Sequence, residues 1–299
     1  MSRDHGGSFA SAAGRHRRPL AIAFGLTASY MVVEFVGGFV FGSLALLSDA
    51  GHMLTDVAGI GMALAAIQLA SSRRSASHTY GLYRLEVLAA LANALLLFAV
   101  AGYVLYEAYR RLTEPPDVPG LPLLLVATVG LAVNIVSFLF LRAGAKESLN
   151  VRGAFLEVLS DLLGSLGVIV AGIVLITTGW QYADPIIGAA IGLFILPRAW
   201  ALGREALRIL LEIAPKELDV GAVERGLVGV PGVASVHDLH VWTLTPGMLA
   251  ATGHLTIEDG ADLERVLTAA RTVLEDDYEI HHTTLQCEPV GFAEPEKEV

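Results

Sequence analysis

Cysteine is almost absent from this chain: Cys287 is the single one in 299 residues. A lone cysteine excludes an intrachain disulfide framework and any cysteine-rich zinc module. Charge is scarce as well, with Asp, Glu, Lys and Arg together at 17% and a net formal charge of −10. No basic patch is available to follow a phosphate backbone, so nucleic acid is excluded as a partner. No His-Glu-x-x-His motif of a zinc hydrolase occurs. No small-residue cleavage pattern follows the first apolar run, so a cleavable signal peptide is not expected. What the chain has in abundance is apolar surface: 54% of its residues are hydrophobic and its mean hydropathy is +0.59. That is a membrane-protein composition.

Six apolar runs of spanning length cover about 19–41, 44–70, 85–110, 121–142, 153–178 and 184–210. They follow a polar tail, residues 1–18, whose His5 and His16 read as solvated. Lys and Arg gather in that tail and in the loops after the second and fourth runs (Arg73, Arg74, Arg84; Arg142, Lys146, Arg152). The positive-inside rule then places both termini in the cytoplasm. The transport domain is expected over 19–213.

Ionisable residues inside such runs are expensive, about 2.5–3.5 kcal/mol each at least, and mark ion pathways or proton relays. His52 and Asp56 lie four residues apart in the second run, and Glu157 and Asp161 repeat that spacing in the fifth. On a helix each pair stacks on one face. Imidazole and carboxylate from two helices make a four-ligand metal site. Asp49, one turn from His52, reads as a supporting neighbour of the site, a proton-relay group or a packing residue. Glu34 in the first run reads as a neutral acid, a partner for an arginine, or a proton relay. Asn93, Asn134 and Ser137 read as interhelical hydrogen bonding.

After Pro215 the chain turns acidic and water-soluble. Helical periodicity over Leu218–Val228, alternation over Val233–Leu244 and Met248–Ile257, a second helix over Asp262–Leu274 and a last strand over Ile280–Glu288 predict α-β-β-α-β. An α+β cytoplasmic domain is expected over 214–290, followed by a charged tail over 291–299. Cys287 reads as a small buried or interface residue.

Four segments together resemble the cation diffusion facilitator family, in its bacterial cobalt–zinc–cadmium resistance and zinc-transporter branch. They are Ser43-Leu-Ala-Leu-Leu-Ser-Asp-Ala-Gly-His-Met-Leu-Thr-Asp56, His78-Thr-Tyr-Gly-Leu-Tyr-Arg-Leu-Glu-Val-Leu88, Asp184-Pro-Ile-Ile-Gly188 and Val236-His-Asp-Leu-His-Val-Trp-Thr-Leu244. The resemblance implies a six-helix transmembrane bundle with a metallochaperone-like (ferredoxin-like) cytoplasmic domain. It implies a homodimer in the bilayer that exports a divalent metal in exchange for protons by alternating access, and not an enzyme. His52, Asp56, Glu157 and Asp161 would be the transport site. His237, His254, His281 and Glu288 would hold regulatory metal, with His240, His282 and His78 as weaker candidates. Strand alternation puts His240 and His282 on the opposite sheet face from His237 and His281.

Two departures bear on chemistry. The zinc-type pattern has histidine where this chain has Glu157, so one imidazole and three carboxylates leave a surplus negative charge. An extra proton or a Lys or Arg counter-ion is expected to balance it. More oxygen also moves the site toward harder cations, so zinc (Zn2+) comes first, cobalt and cadmium next, with manganese or iron as the alternative preference. Tyr83 stands where relatives carry a histidine, which weakens a metal site in the second loop. The absence of a histidine-rich insertion between the fourth and fifth runs points to a prokaryotic plasma (inner) membrane. A membrane-anchored metal sensor or scaffold is the rival reading, and paired intramembrane ligands argue against it.

Overall fold

The computed structural model describes residues 17–72, 79–80, 82–142 and 149–292. Each apolar run becomes one long helix: α1 (Arg17–Phe41), α2 (Leu44–Ser72), α3 (Arg84–Thr113), α4 (Gly120–Leu141), α5 (Leu149–Thr178) and α6 (Ala183–Leu210). Among the described residues, five helices are long and apolar enough to cross a membrane: α3, α4, α6, and the stretches Ile22–Phe41 of α1 and Phe155–Thr178 of α5. At 29 residues α2 is as long, about 1.5 Å per residue, and it carries the ionisable motif. The α1–α2 and α5–α6 turns are tight, and each closes on a glycine in the left-handed region, Gly42 (φ 68°) and Gly179 (φ 66°).

The chain divides into two compact units, residues 1–61 with 92–202, and residues 62–91 with 203–299. In the first, small residues let backbones meet. Ala45 and Leu46 of α2, Leu123 and Ala127 of α4, and Val168 and Ala171 of α5 form one buried cluster. Gly188 of α6 lies against the α2 backbone, where an added Cβ would come within 3.1 Å of the Leu44 carbonyl carbon. Ser48 Oγ donates to the Gly188 carbonyl at 3.2 Å. With no driving force for apolar burial between helices in lipid, such close packing and hydrogen bonding carry the association. The remaining surface is apolar and exposed, as at Phe39, Tyr103, Leu125 and Phe194, which suits contact with lipid.

The second unit holds α7 (Val220–Val228), β1 (Val233–Thr245), β2 (Met248–Ile257), α8 (Leu263–Thr272) with a five-residue π-helical extension, and β3 (His282–Pro289). Element order is the expected one. Asp219 and Asp262 cap the two helices through their carboxylates. The sheet runs β1-β2-β3, with β1 antiparallel and β3 parallel to β2. Val223, Leu227, Val266, Ala270 and Leu274 from the helices cover Val236, Val241, Ala251 and Leu255. Cys287 packs beside this core, and burial pushes its thiol pKa up. In the same unit Arg84 pairs with Glu212, and Thr245 Oγ1 donates to Glu86 Oε2 at 2.8 Å.

Candidate metal centres

The intramembrane candidate is built from the two four-residue pairs and one residue more. One helical turn brings His52 Nε2 to 3.7 Å from Asp56 Oδ2 on α2, and across to α5 it lies 3.6 Å from Glu157 Oε1. Ligand atoms of His52, Glu157 and Asp161 lie within 4.8 Å of one another. His52 and Asp161 are buried, and among the described residues both imidazole nitrogens and Asp161 Oδ1 have no hydrogen-bond partner. Buried polar groups left this way normally serve an ion or a chemical role. Asp56, one turn after His52, and Glu157, one turn before Asp161, are more open, with side chains 13% and 26% exposed.

The additional residue is Arg198, next to Pro197 on α6. Its guanidinium forks onto Glu157, with Nη2 donating to Oε2 at 2.5 Å, and reaches Asp56 Oδ1 at 3.1 Å. The surplus charge of the ligand set predicts either an extra proton or a basic counter-ion, and it does not single out this residue. An arginine inside an apolar run was the available signal, Ile195-Leu-Pro-Arg198-Ala-Trp200. Which carboxylates it meets is a tertiary fact.

Among the described residues Glu34 meets no arginine. Fully buried on α1, it accepts a hydrogen bond from Tyr30 Oη at 2.6 Å, and the same hydroxyl lies 3.1 Å from the Val126 carbonyl of α4. Asp49 is buried beside Gly164, where an added Cβ would approach its Oδ1 to 2.4 Å. Neither belongs to the ligand group. Asn134 donates to Ser165 Oγ at 3.2 Å, an α4–α5 interhelical bond.

In the cytoplasmic-type domain, His237, His254 and Glu288 offer ligand atoms within 4.8 Å of one another. Glu288 is the hub: its oxygens lie 3.2 Å from His237 Nε2 and 3.1 Å from His254 Nδ1. The pairing explains the convergence, since His237 faces His254 across β1–β2 and Thr256 faces Glu288 across β2–β3. His281 is not part of this group. It precedes β3, has opposite parity to Glu288, and sits 3.4 Å from Glu275.

The face assignment of His240 and His282 is also corrected. A bulge between His237 and His240, centred on Asp238 at φ 51°, shifts β1 by one residue. His240 then pairs with Thr252 and shares a sheet face with His237, where it contacts Asp238 at 3.0 Å. His282 has the parity of Glu288 and meets the Tyr80 ring edge-on at 5.3 Å. Asp238, which sequence reasoning passed over, reaches within 3.9 Å of His254. His78 lies outside the described residues.

Glu288→Gln is expected to weaken metal binding by the soluble site about 10–100-fold, since one carboxylate organises both imidazoles. Calorimetric titration of zinc into the full-length variant in detergent checks it, as loss of one class of sites.

Residues 20–211 match the family description "Cation efflux transmembrane domain", and residues 215–290 match "Cation efflux protein, cytoplasmic domain". The chain belongs to the cation efflux family. It is 46% identical over 276 residues to the metal cation efflux system protein CzcD of Cupriavidus metallidurans, covering 92% of this chain and 87% of that one. To the zinc transporter ZitB of Escherichia coli it is 42% identical over 273 residues, 91% and 87% of the two chains. To the cadmium, cobalt and zinc/H(+)-K(+) antiporter of Bacillus subtilis it is 37% identical over 280 residues, 92% and 90%. Among solved structures, the metal-bound C-terminal domain of CzcD from Cupriavidus metallidurans matches at TM-score 0.23 and 38% identity, covering 24% of this chain and 99% of that one. This cation efflux protein is therefore a multi-pass membrane protein with a cytoplasmic-type α+β domain. Its two candidate centres fall one in each matched region.

Proposed function

We propose that this chain exports divalent metal from the cytoplasm in exchange for protons, by alternating access at His52, Asp56, Glu157 and Asp161. The observation that carries the reading is the convergence of His52, Glu157 and Asp161 in a cation efflux transmembrane domain, with Asp56 3.7 Å from His52 at its edge and, among the described residues, no hydrogen-bond partner for the buried His52 nitrogens or Asp161 Oδ1. Coordination requires neutral imidazole and ionised carboxylates. Metal loading therefore displaces protons, and protonation from the far side expels the metal.

Zinc is the proposed first substrate, with cobalt and cadmium after it, as the names of the relatives suggest. The protein acts as a secondary transporter rather than an enzyme. It works as a homodimer in a prokaryotic inner membrane with both termini cytoplasmic. The transport domain is taken as 19–213 and the regulatory domain as 214–290, with tails at 1–18 and 291–299. His237, His254 and Glu288 are proposed to bind regulatory metal. Glu34 and Asp49 are proposed to pass protons toward the site or to fix its surroundings.

Access in this topology follows from exposure. Asp56 and Glu157 lie one turn to the cytoplasmic side of His52 and Asp161 on their helices, and they are the more open pair. Arg198 beside them is 42% exposed. A guanidinium turned to hydrocarbon is costly, so this side is read as an aqueous, cytoplasmic entrance. Metal-dependent proton flux in proteoliposomes is the test: zinc, cobalt or cadmium added on the cytoplasmic face should drive proton movement in the opposite direction. Metal binding without any flux would overturn the transport reading.

A further inference from the structure

We propose that Arg198 is a tethered counter-ion of the transport site, which competes with metal for Glu157 and sets the charge against which metal is held and released. The proposal rests on the transport reading above. Glu157 gives both carboxylate oxygens to the Arg198 fork, and Asp56 gives Oδ1 to the same guanidinium. The Glu157 oxygen engaged by Nη1 is also the one 3.6 Å from His52 Nε2. Metal coordinated by His52 and Glu157 would have to use electron pairs that Arg198 now draws on. A divalent ion arriving there repels the guanidinium, so the arginine must swing away or yield one oxygen.

Charge fixes the purpose. Arginine stays protonated under all relevant conditions. With ligands in their metal-binding form, three carboxylates and one guanidinium carry two negative charges in total, which a divalent cation neutralises. Without Arg198 the same four ligands would hold the metal with one negative charge to spare, in surroundings of low dielectric where that surplus binds strongly. Metal would enter readily and leave slowly. Arg198 reaches the site from its more open side, so it can withdraw as metal enters and return as metal leaves.

Zinc transport in proteoliposomes, resolved into KM and turnover for wild type, Arg198→Gln, Glu157→His and the double variant, tests this. Removing Arg198 should lower both KM and turnover by at least about tenfold, the scale on which groups beside metal ligands act. Glu157→His, which keeps Arg198 but loses its carboxylate, should raise KM by at least about tenfold. The double variant balances charge again, with two imidazoles and two carboxylates, and should return both parameters to within about threefold of wild type. Arg198→Gln with wild-type parameters overturns the proposal, as does a higher KM at unchanged turnover. So does a double variant no better than the worse single one, including one that fails to fold along with Arg198→Gln. A wild-type protein that moves no metal in these vesicles overturns the transport reading instead.

Discussion

Asp161→Asn should reduce metal flux by at least about a hundredfold, beyond the loss typical of groups that merely support a ligand. Asp161 is the innermost candidate ligand, 2% exposed, and among the described residues its Oδ1 has no hydrogen-bond partner. Asparagine keeps the shape but offers a neutral amide oxygen, and it has no carboxylate to release and recapture a proton. The variant loses a ligand and one proton-exchanging group together. Because the change is isosteric, the helices should still pack, and gel filtration with circular dichroism should match wild type. Flux within about threefold of wild type would remove Asp161 from the transport site and leave the four-ligand reading without its deepest member.

Much of this architecture could be read from hydropathy, because in a bilayer each spanning segment must satisfy its own backbone and so announces itself as a long apolar run. The two four-residue pairs were equally legible, since helical periodicity alone puts each on one face. That Glu157 and Asp56 share Arg198 was not, because pairing among α2, α5 and α6 depends on helix rotation that no local pattern encodes. Glu34 shows the same limit: three fates were open from sequence, and the structure gives it Tyr30, one turn away on its own helix.

In the soluble domain the element order followed from alternation and punctuation, but the histidine faces did not. A non-glycine residue at positive φ, Asp238, carries the bulge, and nothing in Val236-His-Asp-Leu-His240 marks it. One extra residue moves the side chains from His240 to Thr243, up to the next register shift, to the other face. His240 changes face for that reason. His281, of opposite parity to Glu288 and ahead of the strand, is not among the three residues that converge.

Asp184→Ala should be the most destabilising single change in the membrane unit, by about 3–5 kcal/mol, since three donors lose their acceptor at about 1–3 kcal/mol each. Asp184 begins α6 fully buried, and it accepts from Ser43 Oγ at 2.5 Å, from the Leu44 amide at 2.7 Å and from the Ala45 amide at 3.2 Å. Those amides are among the unpaired donors of the first turn of α2. The same carboxylate lies 3.7 Å from Arg111, which also donates to the Gly42 carbonyl. One side chain therefore ties the start of α2 to α3 and α6, two turns before His52. Alanine leaves two amides and a hydroxyl short of an acceptor where water is scarce, while Arg111 loses one of two neighbouring carboxylates and keeps Glu107 Oε1 at 3.0 Å. The apparent melting temperature in detergent should fall by at least about 6 °C, with Asp184→Asn recovering part of the loss because its amide oxygen still accepts. Transport should fall in step with stability, because α2 then has no fixed start from which to present His52 and Asp56. If Asp184→Ala melts within about 2 °C of wild type, the start of α2 is held by packing against Gly188, and the buried carboxylate must be assigned another role.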